Sequence, residues 1–154
     1  MELSSILEPS AVKVVSNVTS KKRLFQDLGD LAMDCYGING GDAFAALQHR
    51  ETLGPTGVGR GVALPHARLH GLDKVVGCFL RVETPFDFNA VDKQPVDLVF
   101  ALFAPEDSGV SHLKALALVS RTMRDTAICA KLRANTDTTT LHALLTDSLS
   151  NKAA

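Results

Sequence analysis

Residues 96–104 read VDLVFALFA, with Asp97 as the only charge. An amphipathic helix, or a strand with one wet face, would interrupt such a run with polar residues at its own period. Residues 75–82, VVGCFLRV, have the same character. Strands that are almost continuously apolar are covered on both faces. The two runs therefore predict a sheet with helices above and below it.

The flanking segments supply those helices. From Ser20, the residues Leu24, Phe25, Leu28, Leu31, Ala32 and Cys35 recur at helical spacing. Asn39, three residues before Asp42, is an N-cap for a second helix that carries Ala43, Phe44 and Leu47 and stops near Gly54-Pro55. Residues 11–18, AVKVVSNV, read as an edge strand, and 61–66, GVALPH, as a third strand-like run. Between the two apolar runs, ETPFDFNAVDKQP (83–95) holds turn residues and room for a short strand. Ser111 opens a helix to about Arg124, Asp125 starts another, and Asp137 a last one with Leu141, Leu144, Leu145 and Leu149. The expected tail, 151–154, is frayed. This order is not strict strand–helix alternation. It predicts an α/β fold over 1–154, one domain with a mixed β-sheet sandwiched between helices on both sides.

Composition narrows the function. The chain has 154 residues and a formal net charge of -1, which advertises no nucleic-acid or anionic-membrane partner. Lys21, Lys22 and Arg23 are the only dense basic run and read as the solvated start of a helix. No stretch is apolar enough for membrane insertion, and MELSSILEPS lacks the features of a signal peptide. Cys35, Cys78 and Cys129 are widely spaced and odd in number, as expected of reduced thiols in a cytoplasmic protein.

The glycines of GVGRGVALPHARLHG (57–71) invite a phosphate-loop reading, which fails. Arg60 stands where Lys is needed, Gly61 where Ser or Thr is needed, and a strand rather than a helix follows. A dinucleotide fingerprint fails at Val62, and no G-x-S-x-G, C-x-x-C or H-E-x-x-H occurs. No cofactor is expected. His66 and His70 are four apart, but Pro65 and Gly71 argue against the helix a metal pair would need.

Three residues do not fit a plain core. His66 shares a strand face with Val62 and Leu64, and Pro65 interrupts the ladder beside it. Position alone allows a satisfied rim histidine or an exposed, rigidly held nucleophile. Arg50 continues the inward stripe of Ala43 and Leu47 at the last turn of its helix. It either meets the helix dipole there or faces His66 across the short glycine-rich loop. His112 falls in the first turn of its helix, as a solvated residue or as a neutral N–H donor. His49, His70 and His142 read as surface residues. Taken together, Arg50, His66 and His112 suit phosphoryl transfer, which needs positioning and countercharge more than a carboxylate-oriented base. An unprotonated imidazole nitrogen attacks phosphorus directly.

The run GPTGVGRGVALPHARL, followed by ETPFDFNAVDKQPVDLVFALFAPEDSGVSHLKALALVSR, resembles the enzyme IIA domains of the phosphoenolpyruvate-dependent phosphotransferase system. The branch is the nitrogen-regulatory one, related to the mannitol and fructose IIA domains. The resemblance covers nearly the whole chain. It implies that His66 of Leu64-Pro65-His66 is the phosphoryl acceptor, as a tele-phosphohistidine. It also implies that Arg50 stabilises charge and that His112 donates a hydrogen bond to phosphate. The implied donor is an HPr-type phosphocarrier (NPr), and the implied regulatory targets include potassium transporters and sensor kinases. Arg60 departs modestly from relatives, which often have a small or polar residue there. It either adds charge near the phosphate or points to solvent, and Glu106-Asp107 precede His112 closely. Two other readings stand beside this one. The first is a sugar-transport IIA component that passes phosphate to a IIB domain. The second is an interaction module whose histidine is vestigial.

Overall fold

The computed structural model describes residues 1–147. The tail expected to fray, 151–154, and Leu149 lie outside them. Two short 3-10 turns, Leu3–Ser5 and Pro9–Ala11, lead into β1 (Val12–Val15). Then follow α1 (Lys21–Tyr36), α2 (Gly40–Thr52), β2 (Gly57–Gly59), β3 (Val62–Ala63), β4 (His66–Leu69), β5 (Val76–Phe86) and β6 (Val96–Pro105). The chain continues through α3 (Gly109–Arg124), α4 (Thr126–Arg133) and α5 (Thr138–Thr146).

The sheet is mixed, in the order β1-β5-β6-β3-β2, with β4 also paired to β6. The expected apolar runs are its centre: β5 and β6 pair antiparallel, with Phe79 opposite Phe100. Phe79, Phe100 and Phe103 are fully buried. Truncating any of them to Ala removes transfer free energy and leaves a cavity, at about 3–5 kcal/mol. β5 runs on to Phe86, beyond the expected end at 82, so the stretch 83–95 contributes the end of that strand rather than a separate one. β1 lies at the sheet edge, parallel to β5.

Helices cover both faces. α1 and α2 pack on each other and against β5 and β4, while α3 and α5 pack on β6 and β1, with α4 between them. The Ser20 side chain accepts the Arg23 N–H at the start of α1, and Asn39 accepts the Asp42 N–H at the start of α2. The two helices touch backbone to backbone. A β-carbon on Gly29 would lie 2.6 Å from the Gly40 carbonyl oxygen, so glycine there sets the approach of α2 and the position of its last turn.

Three expectations change. Lys21 does not point to bulk solvent: its Nζ lies 2.9 Å from Glu51 Oε2 and 4.6 Å from the centroid of Phe88. His142 is not a plain surface residue, because its Nε2 lies 2.9 Å from the Leu7 carbonyl oxygen. The run 61–66 is not one strand. It splits into β3 and the start of β4, and His66 opens β4 rather than ending a strand. Proline causes the break because it has no N–H for the ladder. Register nevertheless survives it, since Ala63 stands opposite Val99 and His66 opposite Leu102.

Candidate functional site

The break at Pro65 frees a carbonyl. The Leu64 N–H donates to the Thr56 carbonyl at 2.9 Å, and the Leu102 N–H donates to the Pro65 carbonyl at 2.9 Å. The Leu64 carbonyl turns instead to the imidazole of His66, whose Nδ1 lies 2.9 Å away. A carbonyl only accepts, so Nδ1 carries the proton and Nε2 carries the lone pair. Arg50 confirms that sense of the ring: its Nε–H donates to Nε2 at 3.3 Å, while Nη1 donates to the Gly54 carbonyl at 3.0 Å. The last turn of α2 thus brings a guanidinium to His66, as its inward stripe predicts.

His112 comes from the opposite side. α3 begins at Gly109 rather than Ser111, because Ser108 takes the position before its first turn. The His112 N–H therefore already donates to the Ser108 carbonyl, at 2.9 Å. The residue is 5 % exposed, which rules out a solvated position. Its ring meets that of His66 edge to face, with centroids 5.6 Å apart and planes at 70°. Arg68 of β4 donates its Nε–H to His112 Nδ1 at 3.3 Å.

Arg50, His66, Arg68 and His112 line a cleft of about 430 Å³, with Leu53 and Leu113 on its rim. Both imidazoles are held neutral. Burial lowers the His66 pKa, Arg50 lowers it further, and the bond to Leu64 partly offsets them. His112 is pushed down to about 4, first by burial and then by His66 and Arg68. The cleft therefore offers a nucleophilic nitrogen, two guanidinium groups and a neutral N–H donor, an assembly suited to a phosphoryl group. Among the described residues, no group of three or more His, Cys, Asp or Glu side chains gathers as metal ligands.

Comparison with known proteins agrees with this geometry. Residues 5–148 match the family described as phosphoenolpyruvate-dependent sugar phosphotransferase system, EIIA 2. The chain belongs to that family. This EIIA domain is 44% identical over 145 residues to the nitrogen regulatory protein of Bradyrhizobium diazoefficiens, covering 94% of this chain and 95% of that one. It is 37% identical over 155 residues to the nitrogen regulatory protein of Klebsiella oxytoca, covering 100% and 96%. The crystal structure of nitrogen regulatory protein IIA-Ntr from Neisseria meningitidis superposes with a TM-score of 0.86 at 36% identity, covering 92% of this chain and 97% of that one. These relatives place the EIIA chain in the nitrogen-regulatory branch. Among its described residues, no helix is long and apolar enough to cross a membrane.

Other residues of this EIIA domain stand apart from the cleft or support it unseen. Arg60 sits in the tight β2–β3 turn at φ 59°, its N–H bonded to Asp92 and its carbonyl to Arg133, and does not line the cleft. Glu106 pairs with the exposed His70 at 3.0 Å. Glu51, Thr56 and Arg68 escaped sequence reasoning. Glu51 accepts from the Thr56 N–H at 3.2 Å and from the Thr56 hydroxyl at 2.6 Å, with Lys21 as its counter-ion. Thr56 is 3 % exposed, a rare burial for a hydroxyl in a loop, and its carbonyl holds Leu64. The chain of bonds from α2 to the His66 ring thus runs Glu51, Thr56, Leu64, His66. The one available hint was a Thr beside Gly54-Pro55, too common in loops to single out.

Proposed function

We propose that this EIIA protein accepts a phosphoryl group on His66 Nε2 from an HPr-type phosphocarrier and regulates partner proteins according to its phosphorylation state. One observation carries the reading. The Leu64 carbonyl holds the Nδ1 proton, so the lone pair is on Nε2, beside Arg50.

In the transfer, the Nε2 lone pair attacks phosphorus as the N–P bond of the carrier breaks, and the carrier nitrogen keeps the released electron pair. Positive charge builds on the His66 ring as the new bond forms. The Nδ1–H to Leu64 bond stabilises that charge, because hydrogen bonds to charged groups are the strong ones. Arg50 exchanges its contact with Nε2 for the phosphoryl oxygens. A planar fork with several donors suits that exchange. His112 supplies a neutral N–H to the same oxygens.

The rim of the cleft carries exposed apolar side chains: Leu53 at 71% and Leu113 at 65%. Phosphorylation brings about two negative charges to that surface. A partner docking on the apolar rim loses affinity, and one presenting Arg or Lys gains it. Donor and regulatory targets, among them potassium transporters or sensor kinases, thereby compete for one face. The test is intact mass after incubation with phosphoenolpyruvate, enzyme I and an HPr-type carrier. One acid-labile, base-stable phosphoryl group is expected, mapped to His66. Phosphate mapped to another residue, or none at all, overturns the reading.

A further inference from the structure

We infer that Arg68 is a positioning residue that fixes His112 in the Nε2–H tautomer, so that the cleft holds two imidazoles of opposite hydrogen-bonding sense. The inference rests on the phosphoryl-transfer reading for its purpose, but its geometry stands apart from it. A guanidinium carries its proton at any pH a protein survives, so its Nε–H only donates. The group facing Arg68 Nε at 3.3 Å is His112 Nδ1, which must therefore accept. The proton of the neutral ring then sits on Nε2. An imidazolium has no lone pair left, so the same contact excludes the charged ring, in keeping with the lowered pKa of His112.

His66 is arranged the other way round. There the arginine meets Nε2 and a carbonyl takes the Nδ1 proton. Each arginine selects a tautomer: Arg50 favours the ring that attacks, and Arg68 the ring that donates. His112 Nε2 is buried and has no hydrogen-bond partner among the described residues. An N–H left unpaired in a buried place is costly unless an acceptor is supplied. A phosphoryl group bound to the neighbouring His66 supplies one. Were Nδ1 the protonated atom, its hydrogen would point at a cation, and the ring would offer phosphate a lone pair instead of a donor.

The test uses histidine 15N NMR on the full chain. The charged and titratable groups sharing the cleft with His112 are His49 and Arg50 of α2 and His66 and Arg68 of β4. Arg68 is exposed, so its replacement leaves the core intact. In wild-type protein, the His112 nitrogens are expected to report a protonated Nε2 and an unprotonated Nδ1. In Arg68→Ala, the pattern moves to a tautomer mixture, and the His112 titration midpoint rises towards the ordinary ~6.5. Phosphoryl uptake slows by roughly ten- to a hundred-fold, less than removal of the donor ring itself. Arg68→Lys restores a donor and part of both effects. An unchanged His112 tautomer and titration in Arg68→Ala overturns the inference, as does a changed tautomer with an unchanged transfer rate. Failure of the functional reading looks different: the wild-type tautomers are as described, yet His66 takes no phosphate.

Discussion

The described residues form a cleft larger than the one that holds His66. It lies between β1 and α1, at about 590 Å³, and is lined by Lys13, Arg23, Asp27, Asp30 and Asp34 among others. It has more charge than the His66 cleft and more room. Its charges, however, stand exposed or pair with one another: Arg23 and Asp27 pair at 3.2 Å, one turn apart. The His66 cleft has fewer charged groups, and Arg50, His66 and His112 in it are at least partly buried, with bonding capacity left over. Nε2 of His66 keeps a lone pair that meets the Arg50 Nε–H at 3.3 Å, and Nε2 of His112 keeps an unspent donor. Reactivity follows leftover bonding capacity in a partly dry place, rather than density of charge.

The strongest way to break that contrast is His66→Ala. It is expected to abolish phosphoryl uptake with little change in melting temperature, since a half-buried ring at a strand start contributes little packing. Full labelling of this variant would erase the distinction between the two clefts. Next in size is Arg50→Ala, with uptake slowed by roughly a hundred- to a thousand-fold, the range for losing one electrostatic contact in a transition state. Arg50→Lys should recover only part, because it lacks the planar fork. Rapid-quench kinetics on both variants decide it; equal rates to wild type would leave Arg50 with its Gly54 contact alone.

Thr56→Val probes the support beneath the site. It removes a hydroxyl that donates to Glu51 inside the fold, leaving a carboxylate oxygen short of a partner, and should cost about 1–3 kcal/mol in urea unfolding. A slower transfer should accompany it, because the loop that holds Leu64 loosens. Full stability in this variant would detach the loop from the nucleophile.

Acid sharpens the comparison further. The folded-state pKa of His112 lies below its unfolded value, so the folded protein binds fewer protons and is favoured above the unfolded pKa. That contribution is complete above about 6.5 and declines as pH falls towards about 4. His112→Gln should flatten the stability profile over that window, measured by thermal melts from pH 7 to 4. A profile parallel to wild type would contradict a buried neutral ring. The smallest effect is expected on the other side of the molecule. Burial raises the Asp27 pKa while Arg23 opposes it, so its charge is of little net benefit. Asp27→Asn should change stability by no more than about 0.5 kcal/mol and leave phosphoryl uptake untouched.

Much of this is legible in the sequence. The continuous apolar runs gave β5 and β6, because a strand covered on both faces cannot hide its composition. Ser20 and Asn39 marked the starts of α1 and α2, since capping is a local event. Arg50 followed from the helical stripe, and His66 and His112 from their places beside Pro65 and at a helix start. The remainder depends on distant neighbours. Pro65 signals an interruption, but only β6 decides that the chain resumes in register beyond it. Lys21 looked solvated because Phe88 and Glu51, which cover it, are far away in sequence. Arg68 lies beyond the expected run 61–66, and nothing local says that a helix after β6 brings an imidazole to it.

The proton of His66 is held by the oxygen of a peptide group, not by a side chain. No exchange of one amino acid for another at position 64 deletes that oxygen. Evolution is therefore free to vary Leu64 among residues of similar bulk without disturbing the polarity of the ring. Alanine scanning would pass over the position and record only the packing. The orienting atom comes into view only through chemistry on the main chain, such as an ester in place of an amide, or through changes that move the backbone itself.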